Sequence, residues 1–180
     1  MRTAMIRKGT VVMLALGLLA APAAARACPN EDATPPELTT EMGREAVLCL
    51  INKERKQHGA SKLRSNARLE RAAQSHSAAM DQSDFFGHNA PNGSSPLSRI
   101  QNTGYISGAS AWGIAENIRW GSGGQASPRA AVARWMASGA HRRAMLSKRY
   151  RQVGIGVAIG SPAGSGADAA IYTTDFGYRK

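Results

Sequence analysis

The amino-acid sequence predicts an α+β domain in which helices pack on an antiparallel sheet. Three observations carry this reading. Apolar residues recur at helical spacing in the first half of the chain, at Ala46, Val47, Leu50 and Ile51 and again at Leu69, Ala72, Ala73 and Met80. Apolar residues alternate in the last third, at Val153, Ile155, Val157 and Ile159 and at Ala170, Tyr172, Thr174 and Phe176. A loose Gly- and Ser-rich segment, 160–168, joins these two runs into an antiparallel hairpin.

Each element has its own local signals. Thr39 or Thr40 is placed to cap a first helix from near Glu41, with Lys56 and His58 in its last turn and Gly59 as its stop. Asn66 is placed to cap a second, which should fade by Asp84. Residues 85–96 are turn-rich, with Asn92-Gly93 as a tight-turn signal, and Leu97 to Asn102 reads as a short helix. Ile114 to Arg119 is predicted to be a short strand, and Gly121 to Ser127 a flexible loop. Ser127-Pro128 reads as the N-cap and first residue of a helix that buries Val132, Trp135 and Met136 and that Gly139 ends. One further turn is expected over His141 to Leu146. Trp135 is the core tryptophan on this reading, because Trp112 and Trp120 flank Gly-rich loops. No internal repeat or second domain is visible.

The first residues speak to the compartment. Arg2, Arg7 and Lys8 precede an apolar run from Val11 to about Ala21, and Ala25 and Ala27 occupy the small-residue positions of a cleavage site. Residues 1–27 therefore read as a secretory signal peptide and the chain as secreted. The run is shorter than the roughly 20 residues that span a bilayer. Residues 28–38 follow as a polar N-terminal arm, and 39–180 as the folded domain. Removing 1–27 takes away Arg2, Arg7, Lys8 and Arg26 and leaves 19 basic against 12 acidic residues, a charge of +7. That charge favours approach to anionic surfaces. The basic residues are scattered, without the aromatic interleaving of a nucleic-acid site, so no nucleic-acid partner is expected.

Cys28 and Cys49 are the two cysteines. In an oxidising compartment an even pair reads as one disulfide, which would pin the arm to the first helix. The alternative is a lipidated Cys28, for which Arg26 makes a poor signal. Because the arm is polar, it is expected to lie outside the main core. Reduction should then cost less than the ~3–4 kcal/mol usual for such a loop.

Four histidines are present. His58 reads as a helix-end cation, and His76, on an apolar stripe, as a core residue. His88 and His141 lie in Gly-flanked segments, where function concentrates. Glu116 would share a strand face with Ile114 and Ile118, so its carboxylate needs a partner if buried. Spacing alone leaves two readings open: a surface acid on an edge strand, or a carboxylate that joins two histidines around a divalent cation.

Longer motifs narrow the choice. They are Leu69-Glu70-Arg71-Ala72-Ala73-Gln74-Ser75-His76-Ser77 with Met80, Phe85-Phe86-Gly87-His88, Arg99-Ile100, Gly104-Tyr105 and Ala115-Glu116-Asn117-Ile118. Further on stand Trp135-Met136-Ala137-Ser138-Gly139-Ala140-His141-Arg142 with Met145-Leu146, Val153-Gly154-Ile155-Gly156-Val157 and Tyr172-Thr173-Thr174-Asp175-Phe176. In order and spacing, from about residue 43 to 178, this set resembles the bacterial branch of the CAP superfamily, the fold of cysteine-rich secretory proteins, antigen 5 and plant pathogenesis-related proteins.

The resemblance implies a three-layer α-β-α sandwich with a central antiparallel sheet and a cleft. In many members two histidines and two acids line that cleft, and the histidines hold a divalent metal such as zinc. His88 and His141 match the histidine positions and Glu116 matches one acid. Ser98 stands where the second acid is usual, so the chain departs from the pattern there. Asp81, Asp84 and Asp175 are possible substitutes. Two functions are consistent with such a cleft. One is a metal-dependent extracellular hydrolase, protease-like, with Glu116 as base. The preferred one is a module that binds a lipid, a cell-wall component or a protein, because binding tolerates the loss of an acid better than acid–base chemistry does.

Overall fold

Thr39 caps the first helix: its side chain accepts a hydrogen bond from the Met42 N–H at 3.2 Å, and α1 runs Thr40–Gln57. The computed structural model describes residues 27–164 and 166–180, so the expected signal peptide lies outside the described residues except for Ala27. After α1 come β1 (Arg64–Ser65), α2 (Ala67–Gln82), α3 (Pro96–Asn102) and β2 (Trp112–Ser122). A 3-10 turn (Gly123–Ala126), α4 (Pro128–Ala137), α5 (Gly139–Leu146), β3 (Gln152–Ile159) and β4 (Ala169–Arg179) complete the domain. Asn66 and Ser127 cap α2 and α4 as their sequence positions predict.

Several boundaries differ from expectation. The strand expected at Ile114 to Arg119 is eleven residues long, because β4 pairs with it from Trp112 to Ser122. The loop expected from Gly121 to Ser127 is therefore strand to Ser122, then the 3-10 turn, with Ser127 as the cap of α4. Gly139 does not end α4. Ser138 adopts extended backbone between the helices, and Gly139 is the first residue of α5.

The strands lie in the order β1-β3-β4-β2. The β3–β4 and β4–β2 pairs are antiparallel, and the two-residue β1 adds a short parallel pair to β3. Side-chain alternation sends the two faces of this sheet into different layers. Val153, Ile155, Val157, Tyr172 and Phe176 pack with the α1 and α4 residues Val47, Ile51, Val132 and Trp135. Ile118 and Ile171 face the other way, against Met80 of α2. The result is the three-layer α-β-α sandwich. Glycine sets the spacing of the α2 layer: a Cβ at Gly154 or Gly156 would collide with the backbone of Leu69 or Ala73.

Among the described residues, no strand pairs with the outer edge of β3 beyond β1. Side chains replace one. Gln74 donates to the Val157 carbonyl (2.9 Å) and accepts from its N–H (3.0 Å), and Arg44 donates to the Ile155 carbonyl (3.2 Å).

Cys28 and Cys49 form a disulfide with Cα atoms 5.8 Å apart. The arm it holds is not outside the core. Cys28 and Leu38 belong to the main apolar cluster, and Glu31 bonds Arg129 of α4 at 2.6 Å.

Candidate functional site

Glu116 is the centre of the site. It points from β2 toward the α2 layer, and its side chain is 2 % exposed. Register places it opposite Asp175 of β4. Its Oε1 lies 2.7 Å from His88 Nδ1 and its Oε2 accepts from Arg99 Nη2 at 2.6 Å. His76 Nε2 is 3.9 Å from Oε1. Burial pushes the Glu116 carboxyl up, but the His88 hydrogen bond and the charge of Arg99 outweigh it and hold it below the usual carboxylate range.

His88 sits on the turn-rich segment after α2, and two buried side chains hold that segment. His76 Nε2 donates to the Gly87 carbonyl at 2.9 Å, and Arg99 donates to the carbonyls of Ser94 and His88, each at 3.0 Å. Burial lowers the His76 pKa, with the charge of Glu116 opposing. His76 is a core histidine as expected, yet it also supports the site. The His88 ring itself is 50 % exposed, with Nδ1 engaged by Glu116.

His141 approaches from the first turns of α5. Asn117 of β2 donates to its carbonyl at 3.2 Å. Burial lowers its pKa, and the nearby charge of His88 adds to the shift.

Ser98 is used locally. Its hydroxyl accepts from the Ser95 N–H at 2.9 Å, while the Ser95 hydroxyl accepts from the Ser98 N–H, a reciprocal cap on α3. Among the substitute acids, Asp81 lies against Gly160 in the β3–β4 hairpin and Asp84 is exposed at the end of α2. Asp175 alone stands beside Glu116. It is fully buried, and among the described residues neither carboxylate oxygen has a hydrogen-bond partner. Burial, and next the charge of Glu116, raises its pKa well above the usual range.

The profile of the cysteine-rich secretory protein family, CAP, matches residues 48–176. The chain belongs to this family. A Bacillus subtilis protein, YkwD, is 32 % identical to this CAP chain over 110 residues, which are 61 % of the chain and 40 % of that relative's length. An outer surface protein of Borrelia burgdorferi superposes with a TM-score of 0.66 at 19 % identity, covering 79 % of this chain and 97 % of that one. An extracellular SCP-domain protein of Bacillus anthracis superposes with a TM-score of 0.59 at 23 % identity, covering 77 % and 43 %. These likenesses show the CAP fold.

Within the CAP domain, sequence reasoning missed Arg99 as the partner of Glu116. Arg99 carries no local signal beyond its place in the Arg-Ile pair of the motif. Among the described residues no group of three or more His, Cys, Asp or Glu side chains converges to hold a metal ion. Both Glu116 oxygens are already engaged, one by His88 and one by Arg99. No helix among the described residues is long and apolar enough to cross a membrane.

Proposed function

We propose that this chain is an extracellular ligand-binding module whose cleft is formed by His88, Glu116 and His141. The state of Glu116 carries the reading. A general base must take a proton from water or substrate, and its efficiency follows its basicity. Glu116 is acidic for a carboxylate and has both oxygens engaged, one by His88 and one by Arg99. Such a group orients a histidine well and abstracts protons poorly. The disulfide and a relative described as extracellular support placement outside the cytoplasm, as does the sequence of residues 1–27.

The His88–Glu116 contact also favours a divalent cation, zinc being the natural candidate. A carboxylate on Nδ1 fixes the ring and raises the basicity of Nε2, the usual arrangement behind a metal-binding histidine. Two imidazoles make an open site, with its other positions left to water or ligand. Ser98, in place of an acid, adds no charge to it.

Zinc calorimetry beside a peptidase and esterase screen tests both points. We expect zinc binding that His88→Ala and His141→Ala abolish, that Ser98→Asp tightens, and no turnover. Turnover that requires zinc and is lost in His141→Ala would establish the hydrolase instead.

A further inference from the structure

His141 also lines a pocket of about 370 Å3 at the outer edge of β2. Phe86 and Trp120 form its apolar part, and Phe86 is 47 % exposed, one of the few large apolar side chains that the fold leaves in water. Arg119, Arg134, Ser138 and His141 form the polar part, and no carboxylate lines it. Two guanidinium groups here share one pocket without a counter-ion in its wall.

Arg119 is half-buried and close enough to Arg134 for the two charges to interact. Its Nη2 donates to Gln125 at 3.3 Å, and its buried Nε has no partner among the described residues. The N-terminus of α5 opens at the same wall. Ser138 is its N-cap and makes no side-chain cap hydrogen bond, so the first-turn N–H groups add partial positive charge. Like charges gathered in this way are unfavourable in the empty pocket and favourable around an anion. Guanidinium forks match the planar or tetrahedral oxygens of carboxylate and phosphate, and the aromatic faces suit a ring or chain attached to them.

We infer that this pocket binds the phosphate or carboxylate of an amphipathic ligand, the anion held by Arg119, Arg134 and the start of α5 and the apolar part lying on Phe86 and Trp120. The inference deepens the binding-cleft reading and rests on it, because His141 is a wall common to both.

The probes are phenyl phosphate, inorganic phosphate and benzyl alcohol, titrated by calorimetry into the protein lacking residues 1–27 with a chelator present. Phenyl phosphate should bind at least about tenfold more tightly than either of the others, since it alone satisfies both parts of the pocket. Arg119→Gln with Arg134→Gln should weaken it at least about tenfold, and Arg134→Lys, which keeps the charge without the fork, should weaken it less than that. Phe86→Ala should weaken phenyl phosphate and leave inorganic phosphate unchanged. Arg134 and Phe86 are exposed, so their variants should melt like the wild type, and a melt of the double variant checks its fold. Affinity that survives the double arginine change, or that benzyl alcohol equals, would overturn the inference. Phosphatidylglycerol vesicles and soluble polyglycerol phosphate distinguish the source. Arginine-dependent binding to the vesicles assigns the anion to a lipid headgroup, and binding to the polymer alone assigns it to a free phosphate chain. Zinc is titrated separately. Arginine-dependent phosphate binding without zinc binding removes the metal reading alone, and zinc binding without phosphate binding removes this inference alone.

Discussion

Glu116 and Asp175 show how one residue's environment sets another's chemistry. They face each other across the β2–β4 ladder, and two negative charges there would repel. Burial and the neighbouring charge push the Asp175 carboxyl well above the usual range and so favour its neutral form, while Glu116 is held low by His88 and Arg99. The sign of the linkage follows. The folded-state pKa of Asp175 is raised above its unfolded value of about 3.9. Its contribution to stability is full below that value and is lost as pH rises toward the folded pKa. Asp175→Asn is close in size and does not ionise. We expect the melting temperature of the Asn variant, relative to wild type, to climb as the pH is raised from about 4 to about 8. A difference that stays constant in calorimetric scans across that range would show Asp175 ionised in the folded protein.

At the scale of the element, β3 is the instructive case. Its alternating apolar residues mark it as a strand, but its outer edge is closed by side chains from two helices. Gln74 matters most, because one amide satisfies both the N–H and the carbonyl of Val157. Gln74→Ala would leave the Val157 N–H without a partner at a part-buried edge and its carbonyl with the Thr40 hydroxyl alone, at 3.2 Å. We expect a loss of about 1–3 kcal/mol in urea melts, with Gln74→Glu also destabilised because a carboxylate cannot donate to the carbonyl. An unchanged midpoint for Gln74→Ala would mean that water replaces the amide at no cost. The same element explains why Gly154 and Gly156 fill the alternate positions: they are where α2 comes down onto the sheet.

For the whole molecule, the arm and its disulfide act as part of the core. Cys28 and Leu38 are buried in the main cluster, and Arg129 of α4 bonds both Glu31 and Asp32 at 2.6 Å. Breaking the Cys28–Cys49 bond therefore frees a packed segment as well as the denatured chain. We expect reduction, or Cys28→Ser with Cys49→Ser, to cost about 3 kcal/mol, the full value for a loop of this size. Denaturant midpoints with and without reductant measure it, and a loss well under half that value would return the arm to the periphery.

The sequence by itself determined the local features. The caps at Thr39, Asn66 and Ser127, the alternation of β3 and β4 and the order of the motifs depend on neighbours in the chain, and they were legible for that reason. His88, His141 and Glu116 stood out because their types are chemically capable and their motifs familiar. Tertiary structure alone decided what those groups can do. Strand register put Asp175 opposite Glu116, α3 brought Arg99 to its other oxygen, and the α4–α5 corner gathered Arg119 and Arg134 at one edge. Ser138 and Gly139 make the same point, since a glycine that reads as a helix stop begins the next helix once the chain turns there. The physical reason is that protonation and charge balance are set by burial and by partners distant in sequence, and only the folded chain brings those partners together.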